Sequence, residues 1–298
     1  MKLKDTEPYN RLFSCKEIGN WNDLISFYNS NKKDWDGWIF RGQRNSEWPL
    51  KTTIERLAVE TWSRPYNKLS IIEDGLIREF KRQYHNYSHY VPDNNDKIEW
   101  LSIMQHHGAV TRLLDCTYSF YAAIFFALEE ATPIDNADTM SSVWVFDAQW
   151  IYEGCRQKLS DNEKEKYGFA EHSKVTTEPR MDNYILFSRD PALSSVYPVN
   201  PLKLNERLVI QQGVFLSPCD IKRSYMENLE DVAQNREPLK HLYLILLPNA
   251  EAFLHDAFRE LHRMNMNSAT LFPGLDGFAR DLNKGIILPE LIKADNRE

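Results

Sequence analysis

Residues 105–117 gather two histidines, an arginine, an aspartate and two threonines directly ahead of a nine-residue apolar run, Phe120 to Leu128. A run of that kind must be covered on most sides by core. Polar groups beside it are therefore drawn to the edge of the interior, where charge costs free energy unless it is paired or used. The block predicts a partly buried site. Its bland counterpart is an Arg112–Asp115 pair fastening a loop to a helix. If the segment is extended, Thr111, Leu113 and Asp115 share one face, and Arg112 and Leu114 share the other. Arg112 and Asp115 then do not pair locally. A buried unpaired arginine is costly, so one of the two is expected to meet a ligand.

Composition narrows the classes. The 298 residues are 42% hydrophobic and 27% charged, enough for a sizeable core. Net charge is −7, which gives no global field toward nucleic acid or an anionic membrane. The opening MKLKDTEPYNRL lacks the apolar stretch of a signal peptide, and no segment approaches the roughly 18 apolar residues of a membrane span. Cys15, Cys116, Cys155 and Cys219 are dispersed without CxxC spacing. Reduced thiols, a cytoplasmic setting, no membrane and no metal site are expected.

Periodicity predicts helices opening at Asn20 or Asn22, over 69–86 with Leu69, Ile72, Leu76, Phe80 and Tyr84 on one face, over 98–106, and over 120–130 behind a Thr117 or Ser119 cap. Strands are expected at 38–43, 142–146, 183–187 and 241–247, and from 207–210 through Gln211-Gln212-Gly213 into 214–216. A helix after Pro248-Asn249 buries Phe253, Leu254, Ala257, Phe258 and Leu261. The charged stretch 155–182, with KLSDNEKEKYG inside it, is expected to be a solvated insertion. No regular βαβ rhythm appears. The expectation is α+β, with a mixed, mostly antiparallel sheet and packed helices.

Four further constellations carry possible chemistry. After Phe40, Arg41 can fork onto a phosphate or carboxylate, Gly42 can admit a ligand close to the backbone, and Gln43 follows in the same turn. Adjacent His106 and His107 cannot face the same way, so one of them is expected to enter a site and donate to a ribose hydroxyl or phosphate. Thr111 and Arg112 complete the expected binding set. Gln211 and Gln212, amides read in mid-strand between apolar flanks, would orient a substrate; a bulge at Gly213 with a solvent-facing glutamine is the plainer alternative. The 271–277 segment reads as a structural plug. No GxxxxGKS, GxGxxG or GxSxG occurs, so P-loop, Rossmann and hydrolase-elbow chemistry lack support.

Phe40-Arg41-Gly42-Gln43, the 105–115 block with Ala122-Ala123-Ile124-Phe125-Phe126-Ala127 after it, Gln211-Gln212-Gly213-Val214-Phe215, and Leu271-Phe272-Pro273-Gly274-Leu275-Asp276 together resemble the FRG family of mostly bacterial proteins. The resemblance implies one domain over 1–298 with its core at about 35–278. It also implies a toxin or phage-defence effector with an antitoxin or defence-system partner. Cys116 stands where that family commonly carries Trp. The order of motifs is also similar to ADP-ribosyltransferases. That similarity implies NAD as substrate, a macromolecular acceptor, Arg41 on the NAD phosphates, His106 or His107 on ribose, and Thr111 near the nicotinamide pocket. Gln211 and Gln212 would lie at the catalytic strand. No Glu-x-Glu or Gln-x-Glu stands there, so Asp115 or Glu206 must supply the negative charge. The rival expectations are a metal-dependent nuclease using Asp115, and a non-catalytic module that binds a nucleotide signal.

Overall fold

A computed structural model describes residues 2–133, 140–168 and 179–287. Seven strands form one sheet: β1 (Ser14–Glu17), β2 (Ile39–Gln43), β3 (Leu114–Thr117), β4 (Met140–Phe146), β5 (Val196–Val199), β6 (Gly213–Pro218) and β7 (Leu242–Pro248). Their order is β1-β7-β4-β2-β3-β6-β5. Only the β1–β7 pair is parallel; the other five are antiparallel. The fold is α+β with a mixed, mostly antiparallel sheet and packed helices.

Alternation along the central strands builds two cores. Phe40, Val143, Val145, Ile245 and Leu247 face one side; Ile39, Trp144, Phe146, Leu244 and Leu246 face the other. The Phe120–Leu128 helix lies on the first side. The Ser119 hydroxyl accepts the Ala122 amide and caps it. Seven of its nine residues are buried, so it has no solvent face to pattern. Tyr28, from the Asn20-capped Trp21–Asn31 helix, stacks on Phe120 at 4.3 Å. The Glu251–Arg263 helix covers the same side with Phe253, Leu254, Ala257, Phe258 and Leu261, as its spacing predicts.

Gly42 fixes the depth of this packing. A Cβ there would stand 2.1 Å from the Ala123 carbonyl oxygen and 2.5 Å from the Ala127 nitrogen. The glycine lets a helix backbone approach the sheet. The clearance expected for a ligand is used by protein.

Arg112 is also settled by packing. Its partner is Glu73, on the Leu69–Tyr84 helix, and not Asp115. Arg112 Nε donates to both Glu73 oxygens at 2.8 and 2.9 Å, and Nη1 donates to the Leu186 carbonyl at 2.7 Å. The two side chains are 4% and 2% exposed. Glu73 thus enters the buried face that the apolar spacing of this helix predicts, beside Leu69 and Ile77.

Two expected strands are helical. Residues 183–187 belong to the Pro179–Asn183 helix and the wide turn Tyr184–Ser188. Ile185 and Leu186 fill the core from that turn, and a five-residue apolar run has no period to tell the two apart. The stretch 207–210 lies in the Glu206–Ile210 helix, started by Asn205, whose side chain accepts the Leu208 amide at 2.9 Å. Gln212, at φ 49°, then turns the chain into β6 at Gly213. Gln211 and Gln212 are therefore helix cap and turn, not mid-strand amides. Of the charged stretch, Asp161–Tyr167 is a helix without buried residues, while Cys155, Leu159, Met181 and Asp182 are buried toward its two ends, and 169–178 lie outside the described residues.

Gly42→Ala should cost at least the roughly 1–3 kcal/mol of an overpacked core, because backbone must move on both sides; a denaturant melt reads this. Arg112→Ala should cost about 3–5 kcal/mol by stranding Glu73, while Arg112→Met with Glu73→Leu should recover more than half of the loss. Equal melts for the single and double variants would show that the pair carries no such penalty.

Candidate functional site

β2 and β3 meet at one register pair, Phe40 opposite Thr117. Beyond it β2 stays with β4 as far as Gln43–Ser142, and β3 stays with β6 as far as Leu114–Leu216. A cavity of about 240 Å³ is lined by both strands past that pair: Arg41 and Gly42 on one side, Asp115 and Cys116 on the other. The Lys97–His106 helix brings Gln105 and His106 to it, and the Glu206–Ile210 segment brings Arg207, with Gln211 just beyond. Phe126 supplies an apolar wall.

Arg41 crosses the opening. Its Nη1 donates to the Asp115 carbonyl oxygen at 2.8 Å, and its Nε is buried without a partner. The Asp115 carboxylate accepts from Gln105 Nε2 at 2.7 Å. Gln105 is in turn fixed by the fully buried Thr111, whose hydroxyl donates to Gln105 Oε1. Thr111 thus acts one step back from the cleft, aiming the amide that aims the carboxylate.

The electrostatics are mixed: Asp115 acts on both Arg56 and Arg207, with Glu60 and Glu55 also near Arg56 and Glu129 near Arg207. The side chains of Arg56 and Arg207 make no hydrogen bond or ion pair among the described residues, although Arg207 lies over the Phe272 ring at 4.7 Å. Burial lowers the pKa of both from the usual arginine value. Arg41 adds repulsion at Arg56, while Asp115 pulls both the other way. Guanidinium groups stay charged through such shifts, so each carries an unneutralised cost of burial. Partial burial, then His107 and Arg207, lower the pKa of His106 and keep its imidazole neutral at pH 7.

The cleft brings together Arg41, Gly42, His106, Asp115 and Gln211 of the residues that the sequence singles out. Gln43 is nearby but committed, donating to the Asn45 and Trp48 carbonyls at 3.2 and 2.6 Å. Gln211 lines the cavity while its Nε2 holds the Leu271 carbonyl at 2.8 Å, which ties the 271–277 segment down as a plug. His107, Thr111, Arg112 and Gln212 do not line it. Sequence reasoning misses Arg56, Arg207 and the role of Gln105. Arg207 and Gln211 share a helical face at i and i+4, a signal that a strand reading conceals. Arg56 has no sequence signal. Among the described residues, no three His, Cys, Asp or Glu side chains are grouped to hold a metal ion, and no helix is long and apolar enough to cross a membrane.

Cys116 tests how closed the inner wall is. Burial pushes its thiol up to about 12, while Cys15 is exposed. Iodoacetamide at pH 8 should label Cys15 first and leave Cys116 unmodified until the protein is unfolded, as peptide mass mapping would show. Early labelling of Cys116 would mean that the cleft opens to its floor.

Neither the curated proteins nor the solved structures contain a match to this chain. A family model does match, over residues 36–136. That span holds β2, the Lys97–His106 helix, β3 and the Phe120–Leu128 helix, and with them Arg41, Gly42, Gln105, His106 and Asp115. Arg207, Gln211 and the 271–277 segment lie beyond it. The model is that of the FRG domain, and about a third of the chain matches it, including both strands that line the cleft and the Lys97–His106 helix beside them.

Proposed function

We propose that the cleft binds a nucleotide through its phosphates, and that the protein is an effector enzyme that takes NAD and passes ADP-ribose to a macromolecular acceptor or to water. The observation that carries this reading is that Arg41 and Arg207 line the cleft with Asp115, that Arg56 stands on the other side of Arg41, and that none of the three has an ion-pair partner among the described residues. Forked guanidinium groups suit phosphate oxygens, and a pyrophosphate would offset the cost of burying them. Neutral His106 can donate to a ribose hydroxyl. Asp115, aimed by Gln105, would stabilise the cationic sugar as the C1′–nicotinamide bond breaks. The bonding pair leaves with nicotinamide, the acceptor oxygen or nitrogen bonds to C1′, and the acceptor's proton passes to solvent. Glu206 is exposed and outside the cleft, so the negative charge rests on Asp115 alone. The toxin or phage-defence role, the antitoxin or defence partner and the cytoplasmic setting extend the family resemblance to this chain.

One observation favours the rival reading, a module that binds a nucleotide signal without reaction. The Asp115 field is opposed by the arginines about it, which weakens its hold on a developing cation. Calorimetric titration with NAD and measurement of nicotinamide release separate the two. Arg41→Ala and Arg41→Lys should both abolish binding with the melt unchanged, since lysine cannot make the forked contact. Asp115→Asn should keep binding and lose turnover. Wild-type protein that binds NAD but never releases nicotinamide, with protein or nucleic-acid acceptors supplied, is a sensor. Wild-type protein that does not bind NAD overturns the proposal.

A further inference from the structure

A second cavity adjoins the first. It measures about 590 Å³ and shares Arg41, Gly42 and Phe126 with its neighbour. The first cavity, at about 240 Å³, is smaller than the roughly 300–1,000 Å³ of ordinary small-molecule sites. A dinucleotide cannot be contained there, and the adjoining space begins at the same Arg41 side chain.

The chemistry of the second cavity changes along its length. Near Arg41 stands Arg56, with no hydrogen-bond or ion-pair partner among the described residues. Farther along, Arg44 is bound to Glu130 at 2.7 Å and Lys51 is bound to Glu60, so these cations are spent. Trp48 lines that part, 42% exposed, with the Arg44 guanidinium 4.9 Å from its ring centroid. An indole beside a guanidinium plane is a surface on which a base stacks. Gln43, bonded to the Trp48 carbonyl, ties this loop to β2. Glu60, Glu129 and Glu130 also line the cavity. Three carboxylates oppose a polyanionic strand and tolerate a neutral nucleoside, whose sugar hydroxyls they can accept.

We propose that the ligand is a dinucleotide laid across Arg41: one nucleoside in the first cavity, its pyrophosphate against Arg41 and Arg56, and the second base on Trp48. The assignment rests on the nucleotide reading above and adds a second base site to it. The nicotinamide half belongs beside Asp115, and the adenosine half belongs on Trp48.

Calorimetric titration of wild type, Arg41→Ala, Trp48→Leu and Trp48→Phe with NAD, AMP and NMN tests it. Wild type should bind NAD at least tenfold tighter than either mononucleotide. Trp48→Leu should weaken NAD and AMP about tenfold, the scale of one lost stacking contact, and leave NMN unchanged. Trp48→Phe should restore most of the affinity, which a purely structural role for the side chain does not require, and thermal melts should be alike. NAD binding that is lost in Arg41→Ala but unaltered in Trp48→Leu would confine the ligand to the first cavity. That result overturns the spanning proposal and leaves the nucleotide reading intact. Failure of all three ligands to bind wild type removes both.

Discussion

The missing Cβ at Gly42 sets how deeply the central helix lies on the sheet, and the cleft depends on that depth. With the Ala123 and Ala127 backbone where a methyl group would stand, the Phe120–Leu128 helix lies close against β2. Phe126 is carried on the same helix to the wall shared by the two cavities. One residue earlier, Arg41 points to the opposite side of the strand, where β3 has stopped pairing with β2, and its guanidinium takes the Asp115 carbonyl. The Phe-Arg-Gly order thus packs the core on one face of the strand and sends a guanidinium to the cleft on the other. Phe40 fills the core, Gly42 admits the helix, and Arg41 between them is left at the opening.

A second layer holds the other wall. Arg112 and Glu73 join the Leu69–Tyr84 helix to the segment just before β3, with Leu186 as a third anchor. The pair is deeply buried and satisfied, and it sets the start of the strand that presents Asp115. The Thr111–Gln105 contact then sets the carboxylate. Two polar residues of the 111–115 block are therefore structural, Thr111 and Arg112, and one faces the cleft.

That division explains what was legible. The central apolar helix, the Lys97–His106 helix, the Glu251–Arg263 helix, β2, β4, β7 and the 214–216 part of β6 follow from apolar patterning and caps, while β1 and β5, four residues each, were not anticipated. The meeting of Arg41 with Asp115 was also legible, because both sit where polar groups interrupt core-forming sequence. Two helices read as strands were not. Short apolar runs carry no period, and Asn205 as a cap outweighs the β preference of Leu208, Val209 and Ile210. Losing that helix hid Arg207. Glu73 and Arg56 were illegible for another reason. Each is an ordinary charge on an amphipathic segment, and only the fold decides that one turns inward to pair and the other toward the cleft.

The charge balance of the cleft bears directly on what it can do. Asp115 is the acid whose field both Arg56 and Arg207 feel. A pyrophosphate would bring negative charge of its own to the same guanidinium groups and release Asp115 from that service. On the proposed nucleotide reading, the same carboxylate would then be free to stabilise positive charge on a bound sugar. The proposed phosphate and sugar subsites would then be coupled through the arginines on which Asp115 acts. A ligand lacking phosphate would leave Asp115 occupied, and its sugar would gain nothing from lying beside it.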